Sequence, residues 1–331
     1  VCFAADVVTL TAASRVPGGS LIAYFAMATI GIDIGGTTAR GVRVLDGEVT
    51  ARKGGAVHEG DLITDVIATV NELWTDDVEA VGIGLAGMVQ WPEGIFLWGP
   101  HLEWNDIPVR QVLESELGMP VIVDNDANTA AFGELHGGAA VGFNDFLMVT
   151  LGTGIGGGIV IGGSVYRGES FAGEFGHMVV DAGGLLCDCG KRGCWETVAS
   201  GPALVRLARE VISLSPDGSL AGRIGKGPIS GYDVTSAADA GDEVARGLVA
   251  QVGAEFGAGL RNLIAIFDPE LVVVGGGLGS VGESILGPAR RVATEGLHGG
   301  THRLAPPILL AGLGPDAGAI GAAAMAAEEA R

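Results

Sequence analysis

Residues 29–47 read Thr29-Ile30-Gly31-Ile32-Asp33-Ile34-Gly35-Gly36-Thr37-Thr38-Ala39-Arg40-Gly41-Val42-Arg43-Val44-Leu45-Asp46-Gly47. Thr29–Ile34 is short and β-branched, the signal of a buried strand. It runs into two glycines and two threonines. Ala39–Leu45 and Glu48–Lys53 then flank Asp46-Gly47, the strongest short-range hairpin signal. Further along the chain the pattern restarts. Phe146–Thr150 is a strand that enters Gly152-Thr153-Gly154-Ile155-Gly156-Gly157-Gly158, and Ile159–Ile161 and Ser164–Tyr166 flank Gly162-Gly163. Two halves that each open with a strand, a Gly/Thr turn and a hairpin predict a duplicated α/β domain with a cleft between the copies.

The rest of the chain fits that frame. Leu62, Val66, Val70 and Leu73 fall on one helical face, Ala80–Leu85 reads as a buried strand, and Val109–Leu117 as a helix. Pro120–Val123 is a strand and Ala127–Leu135 a helix. In the second half a long helix carries Val244, Leu248, Val252, Phe256, Leu260 and Leu263 on one stripe. Leu271–Val274 is a strand ending in Gly275-Gly276-Gly277, Ile308–Ala311 is the last strand, and Ala317–Glu329 is an Ala-rich closing helix. Ser213–Gly231, rich in Gly, Ser and Pro, reads as surface loop. The expected division is an N-terminal α/β domain over 28–137 and a C-terminal one over 138–331, the closing helix packing back on the first.

Composition narrows the function. The 331 residues include 58 glycines, about one in six, without a Gly-X-Y period, so the chain is not collagen-like. At 48 % hydrophobic it is not a disordered chain. The formal net charge of -20 offers no general nucleic-acid surface and no polybasic membrane patch. No apolar run reaches the ~18 residues of a membrane-spanning helix. Residues 1–27 stand apart as a leader. Leu21–Ala28 is a weak match to a signal peptide, and an over-extended upstream segment with Met27 as the natural start is the preferred reading. A cytoplasmic protein is expected.

The Gly/Thr turns suit a nucleotide. Gly35 and Gly36 bring backbone N–H groups close to an anion, Thr37 and Thr38 add hydroxyls, and Asp33 can hold a divalent cation directly or through water. Gly152, Thr153 and Gly154 repeat that composition, and Gly275, Gly276 and Gly277 follow a third strand. Any one such turn is more often a plain hairpin. None is a P-loop, because the Gly-Lys-Ser/Thr ending is missing, and none is a GxGxxG opening a helix. Three such turns at strand ends suit a nucleotide held between two domains, the phosphates held by backbone and hydroxyls across a hinge.

The most specific feature is His177-x9-Cys187-x-Cys189-x4-Cys194. Three thiolates and an imidazole make a closed tetrahedral zinc site, structural because four protein ligands leave no open position. Free thiols or a disulfide are the rival readings, and a Cys187–Cys189 bridge would be strained by its short span. Cys2 lies in the leader. Asp124-Asn125-Asp126-Ala127-Asn128 follows a strand and starts a helix. One of these acids is expected as the N-cap. Asp126 can accept a hydroxyl proton as phosphate is transferred. Glu174 and Glu196 bracket the zinc cluster, and carboxylates with amides converging on a cleft suit a polyol.

The opening Asp33-Ile34-Gly35-Gly36-Thr37 resembles the ROK family of repressors, open reading frames and sugar kinases. So do Glu174-Phe175-Gly176-His177 followed by Cys187-Asp188-Cys189-Gly190-Lys191-Arg192-Gly193-Cys194-Trp195-Glu196, and Asp268-Pro269-Glu270 before Gly275-Gly276-Gly277. The match spans about residues 29–325 in the family's order. Within the family the chain is most similar to bacterial ATP-dependent glucokinases. The resemblance implies an actin-like ATPase fold, two RNase H-like domains around a cleft, and transfer of phosphate from MgATP to the 6-hydroxyl of a sugar. It implies Asp126 as catalytic base, and Asn125, Glu174, His177 and Glu196 as sugar-binding positions, His177 serving zinc as well. The Gly-Thr turns match the phosphate loops and Gly275–Gly277 the neighbourhood of the adenosine. A homodimer or homotetramer is implied.

The chain departs from the family's common pattern at Thr38, where Lys or Asn often stands, and at His101, a sugar-binding position commonly held by Asn. Histidine also donates and accepts, and Trp104-Asn105-Asp106 followed by Pro108 leans toward glucose. N-acetylglucosamine, N-acetylmannosamine and fructose are the alternative substrates. A sugar-responsive regulator is the reading from another class. The 32 residues before Asp33 hold no paired amphipathic helices and no basic cluster for a helix-turn-helix.

Overall fold

The computed structural model describes residues 27–36, 38–56, 62–99, 104–225 and 227–331. The expectations for the leader, for Cys2, for Thr37 and for His101 lie outside the described residues. Strands β1 (Ala28–Ile34), β2 (Thr38–Leu45) and β3 (Glu48–Ala56) form the antiparallel start of the first sheet. Asp46 and Gly47 both take positive φ, 51° and 75°, as the hairpin turn between β2 and β3 requires. Helix α1 (Leu62–Leu73) buries Leu62, Val66, Val70 and Leu73, the face read from their spacing. Strand β4 (Val78–Leu85) follows. Strands β5 (Met88–Gln90), β6 (Ile95–Trp98) and β7 (Ile107–Pro108) make a small separate sheet that the sequence pattern did not announce. Helix α2 (Val109–Leu117) and strand β8 (Val121–Asn125) complete the half. The sheet order is β3-β2-β1-β4-β8, with β4 and β8 parallel to β1.

Helix α3 (Asp126–Gly137) leads from the first sheet to the second half, which opens with the strands β9 (Phe146–Leu151), β10 (Ile155–Ile161) and β11 (Ser164–Val165). Helices α4 (Gly201–Leu214), α5 (Ser219–Ile224), α6 (Gly231–Asp239) and α7 (Glu243–Phe267) follow. Strand β12 (Leu271–Gly275), helix α8 (Glu283–Glu295), strand β13 (Ile308–Leu310) and helix α9 (Ala317–Glu329) close the chain. The sheet order is β11-β10-β9-β12-β13. In each half the order is third, second, first, fourth, fifth strand, with the same directions. The duplication seen in the Gly/Thr turns is therefore a duplication of topology.

Three local expectations change. Part of Ser213–Gly231 is helix α5, because Leu220 is buried in the second core and draws the chain into a turn of helix around it. Val244 is half-exposed while Ala245 is buried, so the stripe of α7 is rotated by one residue at its start. Gly156, Gly157 and Gly158 are not part of a turn but sit within β10. A side chain at Gly157 would collide with Phe175, and one at Gly158 would lie 2.7 Å from the Ala127 carbonyl oxygen. These glycines let α3 and the segment carrying Glu174 lie against the sheet.

Two helices join the halves. All residues of α9 from Ala317 to Ala327 are buried. Gly31 in β1 and Gly82 in β4 have no room for a Cβ against Ala319, Ala322 and Ala323, so α9 lies directly on the first sheet. Helix α3 lies on β10 of the second sheet through Ala127 and Ala131. The two helices cross where Gly321 meets Gly133.

Candidate active site

A cleft of about 1260 Å³ opens between the halves. Asp33, Thr38 and Arg40 line it from the first sheet, and Asp126 from the first turn of α3. Gly152, Thr153 and Gly275, Gly276 and Gly277 line it from the second sheet. The turns meet there: a Cβ on Gly152 would lie 3.9 Å from the Gly277 nitrogen, and Leu278 N–H donates to the Leu151 carbonyl at 2.9 Å. Gly276 is at φ 83°, with a Cβ excluded by the Leu151 carbonyl oxygen at 2.5 Å, so only glycine passes at this point. Gly35 and Gly36 form the β1–β2 turn, where Gly35 N–H donates to the Thr38 carbonyl at 2.9 Å.

Asp126 begins α3, but the cap is not an acid. Asn125 Oδ1 accepts from the N–H groups of Ala127 at 2.9 Å and Asn128 at 3.2 Å, and its Nδ2 donates to the Gly87 carbonyl at 3.1 Å. The amide can satisfy the helix start and the preceding loop together, which a carboxylate cannot. Asp126 is thereby left to face the cleft. Its pKa is raised to about 6, first by burial and then, among charges, by Glu174. Asp33 is raised to about 7, first by burial and then by the charge of Asp126, with Arg40 opposing. Gly318 of α9 abuts the Asp33 carboxyl group, a Cβ there falling 2.7 Å from Cγ. Two carboxylates that resist ionisation side by side are what a divalent cation relieves.

The cysteine cluster forms beside this. Ligand atoms of His177, Cys187, Cys189 and Cys194 all lie within 4.8 Å of one another, the donor set of a closed tetrahedral zinc site. Burial pushes the Cys187 thiol up, so its thiolate needs a cation beside it. His177 turns Nδ1 toward the cluster, 3.6 Å from Cys187 Sγ, while Nε2 faces Glu174 at 4.0 Å. Glu196 Oε1 lies 3.4 Å from His177 Nδ1 and 3.1 Å from Cys187 Sγ. Burial, first of the causes, raises Glu174 above the usual carboxylate range. Gly154 does not line the cleft with its turn. A Cβ there would lie 2.7 Å from Glu196 Oε2, so this glycine makes room for the carboxylate. Glu174, His177 and Glu196 thus form a second group, joined to the cleft through Asp126 and through the 152–154 turn.

The cleft also holds residues that sequence reasoning passed over. Arg206 and Arg209 of α4 and Tyr232 and Ser236 of α6 line it too. Only the apolar period of those helices could have signalled them. Trp104, read as leaning toward glucose, is buried and packs edge-on against Phe96 at 6.4 Å, a core residue of the first half.

The ROK family model matches residues 29–329. The chain is 39 % identical to the glucokinase of Streptomyces coelicolor, over 91 % of this chain and 98 % of that one. Its structure is similar to a ROK family glucokinase from Streptomyces griseus in complex with glucose and AMPPNP, with a TM-score of 0.85 and 40 % identity over 91 % of this chain and 99 % of that one. It is also similar to a ROK hexokinase from Thermus thermophilus, with a TM-score of 0.72 and 34 % identity over 92 % and 99 %. The repeated sheet, the interdomain cleft and these likenesses make the fold actin-like, and the chain belongs to the ROK family.

Proposed function

We propose that this protein is an ATP-dependent glucokinase, transferring the terminal phosphoryl group of MgATP to the 6-hydroxyl of glucose. The observation that carries the reading is Asp126. It begins α3, lines the cleft shared with the glycine turns of the second sheet, and lies within reach of the charge of Glu174, itself a neighbour of His177 and Glu196. The likeness to glucokinases, one of them in complex with glucose and AMPPNP, supports glucose over other hexoses.

Asn125, Glu174, His177 and Glu196 orient the hexose through its hydroxyls. Asp126 accepts the 6-hydroxyl proton as the O6–P bond forms and the bond from the terminal phosphorus to the ADP oxygen breaks, the electron pair leaving with ADP. Gly36 N–H, the Thr37 and Thr38 hydroxyls and Thr153 supply donors to the phosphates, Gly35 and Gly152 let their turns approach closely, Gly154 makes room for Glu196, and Gly275–Gly277 border the adenosine. Asp33 would hold Mg²⁺, which would supply charge neutralisation at the phosphates. His177, Cys187, Cys189 and Cys194 would hold zinc, which would pin the segments carrying Glu174 and Glu196.

The domain boundary we assign lies at the end of α3, between 137 and 138, with α9 returning to the first domain. The protein acts in the cytoplasm as a homodimer or homotetramer, and its net charge of -20 supports neither a nucleic-acid nor an anionic-membrane partner. ADP release with MgATP over glucose, mannose, fructose, N-acetylglucosamine and N-acetylmannosamine tests the function. Glucose is expected to give the highest kcat/KM. Preference for another hexose moves the substrate, and no turnover on any sugar removes the kinase reading.

A further inference from the structure

Asp124 and Arg167 form an ion pair that the proposed mechanism does not use. Asp124 is 2 % exposed. Its Oδ1 accepts from Asn125 N–H at 2.7 Å and from Asn128 Nδ2 at 3.0 Å, which fixes the turn that launches Asp126. Its Oδ2 accepts from Arg167 Nε at 2.8 Å. Arg167 belongs to the other half, on the segment that runs from β11 to Glu174. Its guanidinium stacks on the ring of Trp91, 3.8 Å from the centroid. Ser170, on the same segment at φ 110°, accepts from Trp91 N–H at 3.1 Å and donates to the Trp91 carbonyl at 3.3 Å. One carboxylate therefore holds, by one oxygen, the turn that delivers Asp126, and by the other the segment that delivers Glu174.

We propose that Arg167 is the positioning residue that sets Glu174 against Asp126, keeping the two halves of the hexose site in register through its pair with Asp124. Arginine suits this place because one planar group both donates to the carboxylate and stacks on the indole. The proposal rests on the hexose-kinase reading of the site. A misplaced hydroxyl-binding carboxylate weakens sugar binding first, whereas the phosphate turns lie elsewhere in the cleft and are untouched.

The test compares wild type with Arg167→Met, which keeps apolar bulk over Trp91, and with the double variant Arg167→Met/Asp124→Asn. The single change strands a buried carboxylate and can cost folding outright; the double change removes both charges and decides the matter. Wild-type turnover on glucose tests the kinase reading alone. The ratio of variant to wild type, on whichever hexose the wild type prefers, tests Arg167. The expected result for the double variant is a melting temperature within about 5 °C of wild type. Its hexose KM rises about tenfold or more while its KM for MgATP stays within about twofold. A smaller rise in the hexose KM overturns the proposal, and so does a matching rise in the KM for MgATP. A double variant that does not fold assigns the pair to fold stability and overturns it equally.

Discussion

Asp33 and Asp126 face one cleft, and both resist ionisation for the same reason, removal from water. For Asp126 the consequence is kinetic. A base raised to about 6 is ionised at neutral pH and still matched to a proton in transit. We expect kcat/KM for glucose to fall below an apparent pKa near 6, measured across pH 5–8. Asp126→Asn is expected to lose about 10²–10⁴-fold in kcat while calorimetry finds glucose affinity little changed. For Asp33 the consequence is stability. Its pKa in the fold, about 7, lies above the ordinary 3.8, so the fold favours the protonated form. That favour is complete below about pH 4 and is lost as pH rises through 7, where an ionised carboxylate must be kept beside Asp126. Asp33→Asn cannot ionise. It is expected to stabilise the ligand-free protein by on the order of 2 kcal/mol at pH 8, the gain shrinking toward pH 4, as read from melting curves. Both acids were legible in the sequence because each ends a strand beside an amide or a glycine turn. The Asn125 cap was not, since composition cannot say which of several Asx residues takes the helix start.

The loop from Glu174 to Glu196 is an element held at two places. One is the His177, Cys187, Cys189 and Cys194 cluster. The other is Trp195, fully buried, stacked on Phe256 at 5.2 Å and donating from Nε1 to the Glu255 carbonyl at 3.0 Å. A Cβ at Gly259 would collide with the indole, so the glycine of α7 admits it. Glu196 follows Trp195 directly and owes its place to both anchors. We expect protein purified without chelator to carry about one equivalent of zinc per chain. Stripping the metal should weaken glucose binding about tenfold or more by calorimetry, with far-UV circular dichroism almost unchanged because the sheets and α7 do not depend on the loop. The cluster was readable from spacing alone, since four ligands within one short stretch must converge. The anchor on α7 was not, because Phe256 and Gly259 lie far along the chain from Trp195.

At the scale of the whole molecule the two halves are fastened by the crossing of α3 and α9. Gly321 is at the crossing, and a Cβ there would collide with the Thr129 carbonyl oxygen. Gly321→Ala is expected to cost about 3 kcal/mol or more and to lower Tm by roughly 5–10 °C, because backbone rather than a flexible side chain must move. A second fastening is Glu134, completely buried on α3. Its Oε2 accepts from the N–H groups of Ala139 at 2.7 Å and Gly312 at 2.8 Å, and its Oε1 from Leu313 at 2.9 Å. It joins the helix that begins with Asp126 to the turn that leads into α9. What the sequence by itself determined is whatever depends on neighbours along the chain: strand–turn–hairpin units repeated twice, the stripe of α1, the span of α9, the spacing of the zinc ligands and an acid at a strand end. Only the tertiary structure decided what depends on approach between distant segments. It laid α9 on β1 and β4, put Trp104 in the core, brought Arg206, Arg209 and Tyr232 to the cleft and paired Asp124 with Arg167. Local periodicity encodes which face of an element is apolar, and it carries no record of which other element that face will meet.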